Sequence, residues 1–173
     1  MAAIDAGVTY LEPHGEPAMA GNVEKKLKEL GISLPAATAP VANYVPYVQS
    51  GNLVFVSGQL PILNGEIQCK GIVGTDVSTD EAYKGARLCA LNLVAQVKSA
   101  CSGDLDRVKR VIKLTGFVAS GSDFKDHPKV VNGASDTMVE VFGDIGRHAR
   151  AAVGSSSLPV GAAVEVEGIF EIE

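Results

Sequence analysis

Arg150 stands among alanines: the chain reads HARAAVG, with Ala149, Ala151 and Ala152 beside the guanidinium. Methyl side chains can neither screen a cation nor accept its hydrogen bonds, so its partner must come from elsewhere. A planar guanidinium matches a carboxylate or phosphate through two parallel N–H···O bonds. An ion pair with one of the chain's own glutamates would meet the same need, and local chemistry leaves both readings open. Fifteen residues on, at Glu165, the glutamates of VEVEGIFEIE begin to alternate with apolar positions. Successive strand residues face opposite sides, so Val164, Val166, Gly168, Phe170 and Ile172 share one face. Glu165, Glu167, Ile169, Glu171 and Glu173 share the other. Glu167, Glu171 and Glu173 are expected to be solvated. A cation that fixes an anion, with a glutamate and water to move protons, would suffice for hydrolytic chemistry without a cofactor.

The small-residue loops GSSSLPVG and VSGQLP could let backbone amides approach a ligand closely. No G-x-S-x-G, G-x-x-x-x-G-K-[ST] or G-x-G-x-x-G motif occurs, which removes the usual signatures of a serine hydrolase or a nucleotide site. His14, His127 and His148 are scattered without H-x-x-x-H spacing, and Cys69, Cys89 and Cys101 form no C-x-x-C pair. Neither a metal site nor a disulfide framework is expected from them. Cys89 and Cys101 fall in a helical pattern, where a thiol serves as a small buried hydrophobe.

The elements that must position these groups follow from the pattern of the rest. At 173 residues, 46% apolar and 20% charged, the chain is expected to be one soluble domain with a real core. The net charge of −5 argues against a nucleic-acid surface, which needs a basic footprint. The densest basic run, DRVKRVIK, alternates, which puts Lys109 on a solvated strand face. The opening residues lack the charged and apolar regions of a secretory signal, and no run spans a bilayer, so a cytoplasmic location is expected.

GNVEKKLKELG predicts a short helix with Asn22 as cap and Gly31 as stop, its apolar stripe being Val23, Leu27 and Leu30. NYVPYVQSGNLVFVSGQLP predicts a hairpin turning at SGN. STDEAYKGARLCALNLVAQVKSACSG predicts the main helix, opened by a Ser78/Glu81 capping box. A strand, a second helix near DHPKVVNGASDTMVEVFG and two closing strands complete an α+β layout. Two helices cover one face of a single sheet, leaving its second face to be explained.

The combination of NYVPYVQSGNLVFVSGQLP, the main helix and HARAAVGSSSLPVGAAVEVE resembles the RidA family of reactive intermediate deaminases. This family is also called YjgF and was once labelled endoribonuclease L-PSP. The resemblance covers residues 40–173, with residues 1–39 as an N-terminal extension bearing a short helix, as in a longer subgroup. It implies a chorismate-mutase-like fold forming a homotrimeric barrel, with ligand clefts between subunits. It also implies hydrolysis of enamines and imines such as 2-aminoacrylate and 2-iminopropanoate to 2-oxo acids and ammonia, with no cofactor, metal, nucleic acid or membrane involved.

By the same resemblance, Arg150 holds the substrate carboxylate, Leu158 and Pro159 match the family's Leu-Pro, and Glu165 positions or activates water. Tyr44, seven residues before Gly51, and the run Ser57, Gly58, Gln59 would line the cleft. Arg150-Ala151-Ala152 replaces the family's Arg-Ser-Cys, so no thiol is available there. Asn132 and Asp136 compete for the family's helix asparagine, and YVPYVQ leaves either Tyr44 or Tyr47 as the cleft tyrosine. A non-catalytic binder of small carboxylates is the alternative, and a ribonuclease or translation inhibitor a distant third.

Overall fold

The computed structural model describes residues 21–37 and 43–173. Residues 1–20, His14 among them, and the expected boundary between residues 39 and 40 lie outside the described residues. Helix α1 (Asn22–Glu29) precedes the hairpin β1 (Tyr47–Ser50) and β2 (Leu53–Gln59). A small second hairpin, β3 (Ile62–Leu63) and β4 (Glu66–Ile67), leads into α2 (Thr79–Ala100). Then come β5 (Val108–Ala119), α3 (His127–Phe142), β6 (Ala149–Ser155) and β7 (Val164–Ile172). The five long strands form one mixed sheet in the order β1-β2-β7-β5-β6. Only β5 and β6 run parallel, because α3 carries the chain back across the sheet between them. Among the described residues no helix is long and apolar enough to cross a membrane.

Both long helices pack on one face of the sheet. Strand β7 alternates as its sequence requires, with Val164, Val166, Gly168, Phe170 and Ile172 buried toward the helices. Helix α2 opens with the expected capping box. The Ser78 hydroxyl accepts from the Glu81 amide at 3.2 Å, and the Glu81 carboxylate accepts from the Ser78 amide at 2.9 Å. The helices touch without side chains between them at Gly133, where an added Cβ would lie 2.0 Å from the Tyr83 backbone carbonyl oxygen. Cys69, Cys89 and Cys101 are all buried, and burial pushes each thiol's pKa up. They are held in a form poor at nucleophilic work.

Two local expectations change. Asn22 does not cap α1 through its own side chain; Gly21 holds the cap position. The unpaired first-turn amides of Asn22 and Val23 donate instead to Asp106, at 2.8 and 2.9 Å. The helix end does follow the sequence. Gly31 takes a positive φ, Gly31 N–H donates to Lys28 and Ile32 N–H to Leu27, which is the Schellman arrangement. Leu27 is buried, whereas Leu30 at the end of the stripe is exposed. Of the strand glutamates, Glu167 and Glu173 are exposed as expected, Glu173 beside Lys109, whereas Glu171 is half-buried and accepts from the Asn52 side-chain amide at 2.8 Å.

The second face of the sheet carries no helix. Val48 (55% exposed), Phe55 (42%) and Val153 (44%) lie on it together with half-buried Ile169 and Phe117. These residues form an apolar strip that crosses all five strands of the sheet.

Candidate functional site

The predicted residues gather into two groups. The first lies at the β6 edge, where Arg150 pairs in register with Leu114 and so leaves the sheet on the helix side. Helix α3 meets it there with Asn132 and Ser135, three residues apart on one helical face. Arg150 Nη1 donates to Asn132 Oδ1 at 2.9 Å and to Ser135 Oγ at 3.1 Å. The structure thus answers the question left by the alanines: among the described residues no carboxylate forms an ion pair with Arg150. Both of its protein partners are neutral acceptors, which orient the guanidinium without cancelling its charge. Of the two competing helix residues, Asn132 faces the arginine. Asp136 accepts instead from the Tyr83 hydroxyl at 2.8 Å, a bond that raises the tyrosine's pKa.

His148 joins this group although no motif drew attention to it. Its Nε2 lies 3.0 Å from Ser135 Oγ, and its Nδ1 lies 2.6 Å from the Gly146 carbonyl oxygen. Burial pulls its pKa down, the Gly146 bond opposes that, and the nearby Arg150 charge lowers it further. The one available signal was spacing, since residues 148 and 150 of an extended segment face the same way.

The second group lies where β2 meets β7. Glu165 pairs in register with Phe117 and so projects on the helix-free face. A register shift between Val56 and Gln59 bends β2 beside it, as bulges do where a strand re-aims its residues. Gly58 sits in this bend directly under the carboxylate: a Cβ there would be 1.9 Å from Glu165 Oε1. Glu165 is half-buried, and burial followed by the charge of Glu167 raises its pKa.

Ser57 spends its groups inside the chain. Its hydroxyl donates to Val45 O and its amide to Pro46 O, each at 2.9 Å. These bonds fasten the segment that carries Tyr44. Gln59, 8% exposed, turns its amide back onto the carbonyls of Ser57 and Gly58 at 3.0 and 3.3 Å. Tyr44 is half exposed beside this bend, whereas Tyr47 packs against the core. Of the two candidate tyrosines, Tyr44 is therefore the more exposed.

One chain does not bring the two groups together. Arg150 and Glu165 stand two strands apart, roughly 10 Å at the usual spacing, and are offset by three residues along β5. They also leave opposite faces of the sheet. The arrangement places a guanidinium held by two neutral acceptors on one side and a half-buried carboxyl on the other. A third set of acids, Glu24, Asp104 and Asp106, clusters near α1, but each accepts from a backbone amide there.

Residues 24–171 match the family model described as "YjgF/chorismate_mutase-like, putative endoribonuclease". Protein TCP17 of Trypanosoma cruzi is 50% identical over 153 residues, covering 88% of this chain and 95% of that relative. A protein of Dermatophagoides farinae named 2-iminobutanoate/2-iminopropanoate deaminase is 32% identical over 143 residues, covering 82% of this chain and 95% of its own. Among solved structures, the protein Atu1372 of Agrobacterium tumefaciens, of unknown function, is 54% identical with a TM-score of 0.82. That match covers 87% of this chain and 92% of Atu1372.

Proposed function

The chain belongs to the YjgF/chorismate-mutase-like family, and we propose that it hydrolyses small carboxylate-bearing enamines and imines to 2-oxo acids and ammonia. The observation that carries this reading is Arg150: a guanidinium propped by two neutral acceptors, with no ion-pair partner among the described residues. Such a group is preorganised for an anion before the anion arrives, and orientation of this kind is what converts a bimolecular hydration into a reaction within a complex. The name of the Dermatophagoides relative supports the same substrate class.

In the proposed reaction Arg150 grips the carboxylate and leaves the adjacent C=N carbon open to water. Water adds to that carbon while the imine nitrogen takes up a proton. Glu165 moves protons between the attacking water and the nitrogen; its raised pKa suits a carboxyl that must both hold and release one. A second proton transfer makes nitrogen the leaving group, the C–N bond breaks, and the 2-oxo acid and ammonia depart. An enamine first takes a proton on its terminal carbon to become the imine.

Because Arg150 and Glu165 leave opposite faces, the reading requires a cleft between chains. The helix-side edge of one subunit would face the β2–β7 bend of the next, in a homotrimer closed on the apolar strip around Phe55. A carboxylate-binding role without turnover is the second reading. It is favoured by Ser57, whose hydroxyl and amide are already engaged and cannot donate to a transition state.

The test is keto-acid and ammonia release from freshly generated 2-iminopropanoate, with wild type, Arg150→Ala and Glu165→Gln compared against the uncatalysed rate. Acceleration by wild type alone supports the deaminase. Equal rates in all samples, with pyruvate still bound in calorimetry, would leave the binding role in its place.

A further inference from the structure

We propose that His148 and Ser135 form a positioning relay that fixes Arg150 in one orientation and leaves its Nε/Nη2 edge for the ligand. The inference rests on the carboxylate-binding role of Arg150 and adds the groups that set its specificity.

Each donor direction in the relay is forced. A carbonyl oxygen can only accept, so the 2.6 Å contact with Gly146 places the hydrogen of a neutral His148 on Nδ1. Nε2 then carries a lone pair, and the Ser135 hydroxyl donates to it across 3.0 Å. With its one hydrogen committed, Ser135 Oγ offers only lone pairs to Arg150, whose Nη1 donates to it at 3.1 Å.

Asn132 Oδ1 takes a second bond from the same nitrogen at 2.9 Å. The two hydrogens of Nη1 are thereby used, and Nε and Nη2 remain as a parallel pair of donors. That pair matches the two oxygens of a carboxylate.

The alternative for a serine inside a helix is to bond back to the carbonyl four residues earlier. Thr137, two positions on, does this to Gly133 at 2.7 Å. Ser135 instead points out to His148, so its conformation is explained by the relay and not by the helix. Burial holds the His148 pKa below its ordinary value, against the Gly146 bond, and the Arg150 charge adds to that. Ser135 faces it from α3 and Arg150 from β6. Arg110 of β5 and Arg147 share its groove, and Asp144 is taken up by Arg147 at 3.3 Å. A protonated ring would make Nε2 a donor, free the Ser135 hydrogen and place a second cation beside the guanidinium.

Two measurements on the full-length protein decide the matter. The ¹⁵N chemical shifts of the His148 ring at neutral pH should show Nδ1 protonated and Nε2 bare. An Nε2–H tautomer or an imidazolium overturns the relay, whatever the protein catalyses. Calorimetry with pyruvate should show Ser135→Ala binding about tenfold more weakly, as expected when one bond to a charged group is lost, and Ser135→Thr restoring the affinity. Unchanged affinity in Ser135→Ala overturns the proposal. If wild type itself ignores pyruvate, the carboxylate reading of Arg150 falls, and the ring shifts still judge the relay.

Discussion

Gly58→Ala isolates the geometry of the proposed proton mover with one methyl group. The added Cβ would lie 1.9 Å from Glu165 Oε1, 2.8 Å from Cδ and 3.1 Å from Cγ. An ordinary C···O approach is about 3.3 Å, so the carboxylate oxygen must retreat by about 1.4 Å. The displaced atom is the end of a flexible side chain, so the backbone need not move and the fold should survive. Misplacing a reacting group by about 1 Å costs on the order of 10²-fold in rate. Gly58→Ala should therefore lower kcat for 2-iminopropanoate about a hundredfold, with little change in KM, because Arg150 at the other edge still binds the carboxylate. The melting temperature should stay close to wild type. In a double-mutant cycle, Glu165→Gln should cost much less in the Gly58→Ala background than alone, since the same contribution has already been lost. Wild-type kcat in Gly58→Ala, or full additivity with Glu165→Gln, would refute a catalytic place for Glu165.

Three further outcomes follow from other parts of the structure. Gly133→Ala should destabilise by about 1–3 kcal/mol in urea unfolding, because its methyl meets the rigid Tyr83 carbonyl at the helix contact. A gain from helix propensity alone would show that the helices can separate freely. In the Phe55→Glu background, where the cleft cannot close, Glu165→Gln should melt higher than its parent at pH 7.5 and equal to it at pH 4. The folded state holds the Glu165 proton more tightly than the unfolded chain, so the parent's stability is lost as pH rises from 4.5 through the folded pKa. An advantage of the parent at pH 7.5 would contradict this. Phe55→Glu, on the helix-free face, should reduce the mass measured by light scattering from trimer to monomer and abolish turnover with it; an unchanged mass would remove that face from the interface.

Much of the scaffold was legible because it depends on local pattern. The Ser78/Glu81 box, the burial alternation of β7 and the Gly31 stop all follow from spacings within a few residues. What was not legible depends on distant neighbours. Asp106 caps α1 from more than eighty residues away, a contact no window along the chain contains. Asn132 and Asp136 are four apart, so helical periodicity places them on the same face and cannot choose between them. The choice is made by Tyr83 of α2, which claims Asp136 and leaves Asn132 to Arg150. Beyond the spacing of His148 from Arg150, the pairing of His148 with Ser135 was hidden for the same reason: it lies in a contact between α3 and the approach to β6.

The separation of Arg150 from Glu165 ties these points into one physical argument. For a lone subunit, an arginine without a counter-ion among the described residues and a half-buried carboxyl beside Glu167 are both poor choices: the second costs stability wherever it ionises. An apolar strip on the helix-free face adds to that cost. Groups that conflict with stability are where function concentrates. All three conflicts would be relieved by the same event. Closing the apolar strip against other copies would bring a cation from one chain toward a carboxylate from the next, with room for a small anion between them. Within one chain the two groups cannot pair with each other, because they stand on opposite faces of the sheet. On this argument catalytic competence depends on assembly as well as on residue identity. Mixed trimers of Arg150→Ala and Glu165→Gln subunits should accordingly recover activity that neither variant has alone, since some clefts would then pair an intact arginine with an intact glutamate. Mixing that restores nothing, while each variant still assembles, would refute the shared site.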